Sequence, residues 1–109
     1  MRRGWLVALL LLGLAGCQSP GQLKEEAPAQ RLQTLKSPPV YRDCLAPKWA
    51  GAAQREIRFG YRLVLPEGPG GEPASLLEVT ANERGSLVAL YQRPGVGGDA
   101  AGRAARECL

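Results

Sequence analysis

Apolar and polar residues change rhythm several times along this chain, and each change predicts an element. Ile57, Phe59, Tyr61, Leu63 and Leu65 alternate with Arg58, Gly60, Arg62 and Val64, the period of two expected of a strand with one buried face. Residues 75–81 and 86–92 read as two further strands. Between them Asn82-Glu83-Arg84-Gly85 supplies the residue types that tolerate positive φ, so a tight hairpin is expected. Upstream, Tyr41, Cys44, Leu45 and Lys48 recur at helical spacing within residues 40–49, with Trp49 beside them. Pro47 either kinks that helix or sits in its first turn, because it cannot donate to the ladder. Near the end, Asp99 is placed to cap a helix on which Ala101, Ala104, Ala105 and Cys108 make a narrow face of small residues.

These elements combine into an α+β domain of order α-β-β-β-α. Three antiparallel strands form a sheet with one apolar face, and the two helices cover it. Residues 18–39 carry Leu23, Leu32 and Leu35 as their only large apolar side chains and are otherwise polar or Pro- and Gly-bearing. Such a stretch cannot bury enough apolar surface to offset its ordering entropy, and it reads as a flexible linker. The folded domain is then expected at 40–109, with Pro66 to Pro73 and Pro94 to Gly98 as loops.

A different pattern occupies the start. Arg2 and Arg3 precede ten uncharged, mostly aliphatic residues from Trp5 to Leu14, and Leu14-Ala15-Gly16-Cys17 follows at once. Fourteen residues from Gly4 to Cys17 fall short of the roughly 20 needed to cross a bilayer as a helix. The arrangement is that of a secretory signal, and Leu14 to Cys17 resemble the lipobox of bacterial lipoproteins. That resemblance implies removal of residues 1–16, an acylated Cys17 at the head of a 17–39 linker, and a tether strong enough for stable membrane attachment. An ordinary signal peptide leaving Cys17 as a thiol is the competing reading. In enteric-type lipoproteins an aspartate directly after the cysteine retains the protein in the inner membrane. Gln18 and Ser19 stand there instead, so the resemblance implies the periplasmic face of the outer membrane over the inner membrane.

Lipidation changes both the cysteine count and the charge. With Cys17 consumed, Cys44 and Cys108 remain as a pair in an oxidising compartment, where a disulfide tying the two helices is expected. Two buried free thiols are the alternative. Removing Arg2 and Arg3 leaves 12 basic against 10 acidic side chains, too balanced and too dispersed for a nucleic-acid binder. The chain has no histidine, so it holds no imidazole base and no triad of the usual kind. Ser75 and Ser86 lack an evident activating base, and Glu67 with Glu72, or Glu78 with Glu83, read as surface acids. No catalytic residue, metal site or cofactor is expected.

One binding face can be drawn. Arg58 and Arg62 would project from one side of the 57–65 strand about 13 Å apart, joined by Glu78 and Thr80 and, with matching registers, by Val88 and Leu90. Such a face suits an anionic glycan or a protein partner, although strand solubility accounts for the arginines equally well. Tyr41-Arg42-Asp43-Cys44-Leu45, Lys48-Trp49, Gly60-Tyr61, Gly85-Ser86-Leu87-Val88 and Ala104 to Leu109 are similar to small proteobacterial lipoproteins, a resemblance that implies no activity. The expectation is a lipid-anchored, non-catalytic binding or assembly module of the envelope. An inhibitor of a wall hydrolase acting through the 66–73 loop, and a purely structural lipoprotein, are the alternatives.

Overall fold

The computed structural model describes Lys24 and residues 29–66, 73–93 and 99–109. Seven elements follow in order: β1 (Ala29–Thr34), α1 (Pro38–Lys48), β2 (Ala53–Ile57), β3 (Gly60–Pro66), β4 (Pro73–Asn82), β5 (Gly85–Gln92) and α2 (Ala100–Glu107). The strands form one antiparallel sheet of order β1-β5-β4-β3-β2, leaving β1 and β2 at its edges.

The sheet corrects the three-stranded expectation at two places, each for a local reason. Residues 57–65 are not one strand. The chain turns back at Arg58 and Phe59, so Ile57 closes β2 and Gly60 opens β3 directly opposite it. Gly60 lies against β4 so closely that a Cβ there would run into the Val79 carbonyl, which explains a glycine at this point of an apolar run. The second correction is β1, which falls in the stretch read as a linker. Its Gln30, Leu32 and Thr34 lie in register with Leu90, Val88 and Ser86 of β5. Backbone pairing to an existing edge, with Leu32 packed against the core, orders a strand that its own composition does not announce.

Both helices pack on one face. Tyr41, Leu45 and Trp49, four residues apart, meet Leu63, Leu77, Val79, Val88 and Leu90 from the sheet and Ala101, Ala105 and Cys108 from the C-terminal segment. The small side chains of α2 leave its backbone open to the aromatic residues of α1. The Tyr41 hydroxyl donates to the Ala105 carbonyl at 2.7 Å and the Trp49 indole to the Ala101 carbonyl at 3.1 Å. Burial holds the Tyr41 phenol well above its ordinary pKa.

α1 accommodates its prolines at the ends. Pro38 and Pro39 occupy the first positions, where an N–H has no partner, and Pro47 falls in the last turn rather than the first. Asp99 precedes α2 without capping it through its side chain. Its carboxylate instead takes Arg106 Nη2 at 2.7 Å.

Cys44 and Cys108 are bonded, with their Cα atoms 5.7 Å apart. The disulfide does not join the two helices to each other. Cys44 lies within α1, but Cys108 stands beyond the end of α2 at Glu107. The bond therefore fixes the terminal segment rather than clamping two helices side by side. Two more contacts hold the same segment: Lys36 Nζ donates to the Cys108 carbonyl at 2.6 Å and Thr34 Oγ1 to the Leu109 carbonyl at 2.8 Å.

Candidate functional site

The sheet register decides which side chains share the face away from the helices. Arg31, Ala89, Glu78, Arg62 and Arg55 stand side by side across all five strands, a row about 19 Å long at ordinary strand spacing. Arg62 reaches one Glu78 oxygen through Nε at 3.0 Å and Nη2 at 2.7 Å, and Lys24 Nζ takes the other at 3.0 Å. Burial by itself would raise the Glu78 carboxyl. The hydrogen bonds from Arg62 and Lys24, backed by their charges, outweigh it and hold the group below its ordinary value. Lys24 also lies 5.7 Å from the Tyr91 ring, beside the smaller apolar cluster of Val64, Leu76 and Tyr91. Arg55 and Arg31 at the ends of the row are exposed and have no ion pair among the described residues.

The expected binding face is therefore rearranged. Arg62 and Glu78 do meet, with Thr80 on their side. Arg58 is in the β2–β3 turn, where its guanidinium lies 5.0 Å from the Phe59 ring. Val88 and Leu90 are fully buried under the helices, on the opposite face from Arg62. Cys17, the candidate lipid attachment point, lies outside the described residues. So does almost all of the 66–73 loop. Ser75 and Ser86 are buried, and the Ser86 hydroxyl donates to the Lys36 carbonyl at 2.8 Å. Glu78 is ion-paired, whereas Glu83 is an exposed turn residue.

A second surface lies at one end of the sheet. The exposed large apolar residues among those described are Leu35 (86%), Phe59 (68%), Val40 (53%) and Leu109 (37%), with Leu35 and Leu109 beside β1 and Phe59 in the β2–β3 turn, toward opposite edges of that end. Leu35 follows Thr34, which holds Leu109. Thr34 is in register with Ser86, Ser86 with Ala81, and Ala81 N donates to the Phe59 carbonyl at 2.8 Å. Val40 follows Pro38 and Pro39, which share an open groove of about 220 Å³ with Phe59, Ile57 and Tyr61.

Phe59 is the unusual member. Its φ is 64°, a left-handed conformation that costs a residue with a side chain roughly 1–2 kcal/mol. Ile57 pairs with Gly60 across this two-residue turn, and the positive φ falls on the phenylalanine rather than on a glycine. Sequence reasoning placed Phe59 in the core. The signal that could have redirected it was Gly60 itself, since an isolated glycine in a strand pattern marks a close backbone approach or a break.

Among the described residues no group of three metal-ligating side chains occurs and no helix is long and apolar enough to cross a membrane. Comparison with known proteins finds no matching family model, no matching curated sequence and no matching solved structure.

Proposed function

We propose that the chain is a lipid-anchored, non-catalytic binding module of the bacterial envelope. Cys17 is its tether, on the periplasmic face of the outer membrane. The observation that supports the binding role most directly is Phe59, 68% exposed on a left-handed backbone beside the open groove it shares with Pro38, Pro39, Ile57 and Tyr61. An exposed aromatic ring at the rim of a groove marks a surface suited to a partner. The polarity of β1 supports the tethered arrangement. The strand enters the sheet at Ala29, opposite Tyr91, and leaves at Thr34, so the apolar end is the one remote from the chain's entry.

Two measurements on cells producing the full chain test this reading. Metabolic labelling with an alkyne fatty acid is expected to mark the protein and to be lost with Cys17→Ala. Mild cross-linking and pull-down are expected to recover a specific envelope partner, reduced in the same variant. An unlabelled protein removes the tether, and a native-level pull-down with no specific partner removes the module. A wall hydrolase among the partners would instead favour the inhibitor.

A further inference from the structure

The apolar end of the sheet coincides with an open strand edge, and together they define what kind of partner fits. Among the described residues β2 ends the sheet, so half of its backbone N–H and C=O groups point outward with no described strand beside them. Its last residue, Ile57, is also a wall of the groove shared by Pro38, Pro39, Phe59 and Tyr61. The Phe59 ring gains little from its own domain. It is 68% exposed and held on a strained backbone, with the Arg58 guanidinium 5.0 Å from its ring. A glycine at this position would relax the turn, so the ring points to an outward role.

We propose that an extended segment of a partner protein adds to β2 as a sixth strand and places an apolar side chain in the groove beside Phe59. Strand addition supplies main-chain hydrogen bonds, and the groove supplies selectivity. The charges on β2 specify the segment further. Arg55 has Arg62 as its cross-strand neighbour on one side and the open edge on the other. Glu78 already holds Arg62, whereas Arg55 has no ion pair among the described residues, and an acidic residue on the incoming strand supplies one. Glu56, on the other face, favours a basic residue next to that acid. The fitting partner is thus an extended segment with adjacent acidic and basic residues and an apolar residue toward the groove. A second copy is a poorer fit, because pairing the whole of β2 with itself sets Arg55 against Arg55.

This inference rests on the binding-module reading but can fail separately. A photo-cross-linking phenylalanine analogue placed at position 59, and in a second strain at Arg103 on α2, is introduced into the full chain in cells, and the captured segment is sequenced. That segment, made as a synthetic peptide, is then titrated against the protein. Hydrogen exchange is expected to slow at residues 53–57. Phe59→Gly is expected to weaken binding roughly 30-fold, the loss typical of an aromatic hot spot, without lowering the melting temperature. Arg55→Glu is expected to weaken it as well.

Unchanged exchange in β2, parent-like binding by Phe59→Gly, or capture of lipid or of a second copy at position 59 overturns the proposal. Capture at 103 alone overturns it while leaving the module reading intact. Capture at neither position overturns both.

Discussion

Cutting the Cys44–Cys108 bond should cost a large part of what holds this domain folded, and the loss should lie in the unfolded chain. The cysteines are 64 residues apart, and cross-linking a loop of that length removes unfolded-state entropy worth about 4 kcal/mol at 25 °C. In the native state the same segment keeps four other attachments: Thr34 to Leu109, Lys36 to Cys108, Tyr41 to Ala105 and Trp49 to Ala101. The folded geometry should therefore survive loss of the bond. The test is urea unfolding of the Cys17→Ser protein against the same protein with Cys44→Ala and Cys108→Ala. A small domain's total stability is on the order of 5–10 kcal/mol, so the midpoint should fall by roughly 40–80%. The native near-ultraviolet spectrum of Trp49 and Tyr41 should stay unchanged. A loss below about 1 kcal/mol would refute the unfolded-state argument. A changed aromatic spectrum in native conditions would show instead that the bond positions the segment.

Tyr41→Phe removes the donor to Ala105 inside the core and should cost about 1–2 kcal/mol, read as a fall in melting temperature of roughly 4–8 °C per kcal/mol. Glu78 is held below its ordinary pKa, so its pairing with Arg62 and Lys24 contributes fully above the unfolded value near 4.5. That contribution is lost as pH falls through the lower folded value. Glu78→Gln should flatten the acid limb of a stability-against-pH curve. Phe59→Gly should raise the melting temperature of the isolated protein by a few degrees, because it relaxes a strain of roughly 1 kcal/mol. A lowered value would mean that the ring packs more than its exposure indicates.

Some of this molecule is legible in its sequence because local chemistry and final structure agree. Asn82 to Gly85 carries turn residues and turns. Tyr41, Leu45 and Trp49 keep helical spacing and line the core. Cys44 and Cys108 pair as the cysteine arithmetic requires. The misreadings arise where a non-local contact decides. β1 is polar and becomes a strand because the edge of β5 receives it, 52 residues or more away in the chain. The run from Ile57 to Leu65 alternates throughout, and its one local sign of a break is Gly60, whose close approach to Val79 on β4 is a non-local contact. The candidate surface was half visible for the same reason. The Arg62–Glu78 pair follows from two strands and their register, whereas Phe59 left the core only because the hairpin formed.

The antiparallel pairing of β1 with β5 has a mechanical side. The chain leading from Cys17 reaches this strand at Ala29, and the surface proposed to hold a partner lies beyond its other end, near Thr34. A pull between the proposed anchor and the proposed partner would run along the strand, across hydrogen bonds that stand perpendicular to it. All six paired positions from Ala29 to Thr34 would then take the load together, instead of parting one after another from a frayed end. If Cys17 carries the proposed lipid, a domain connected this way can be tugged by that tether and hold.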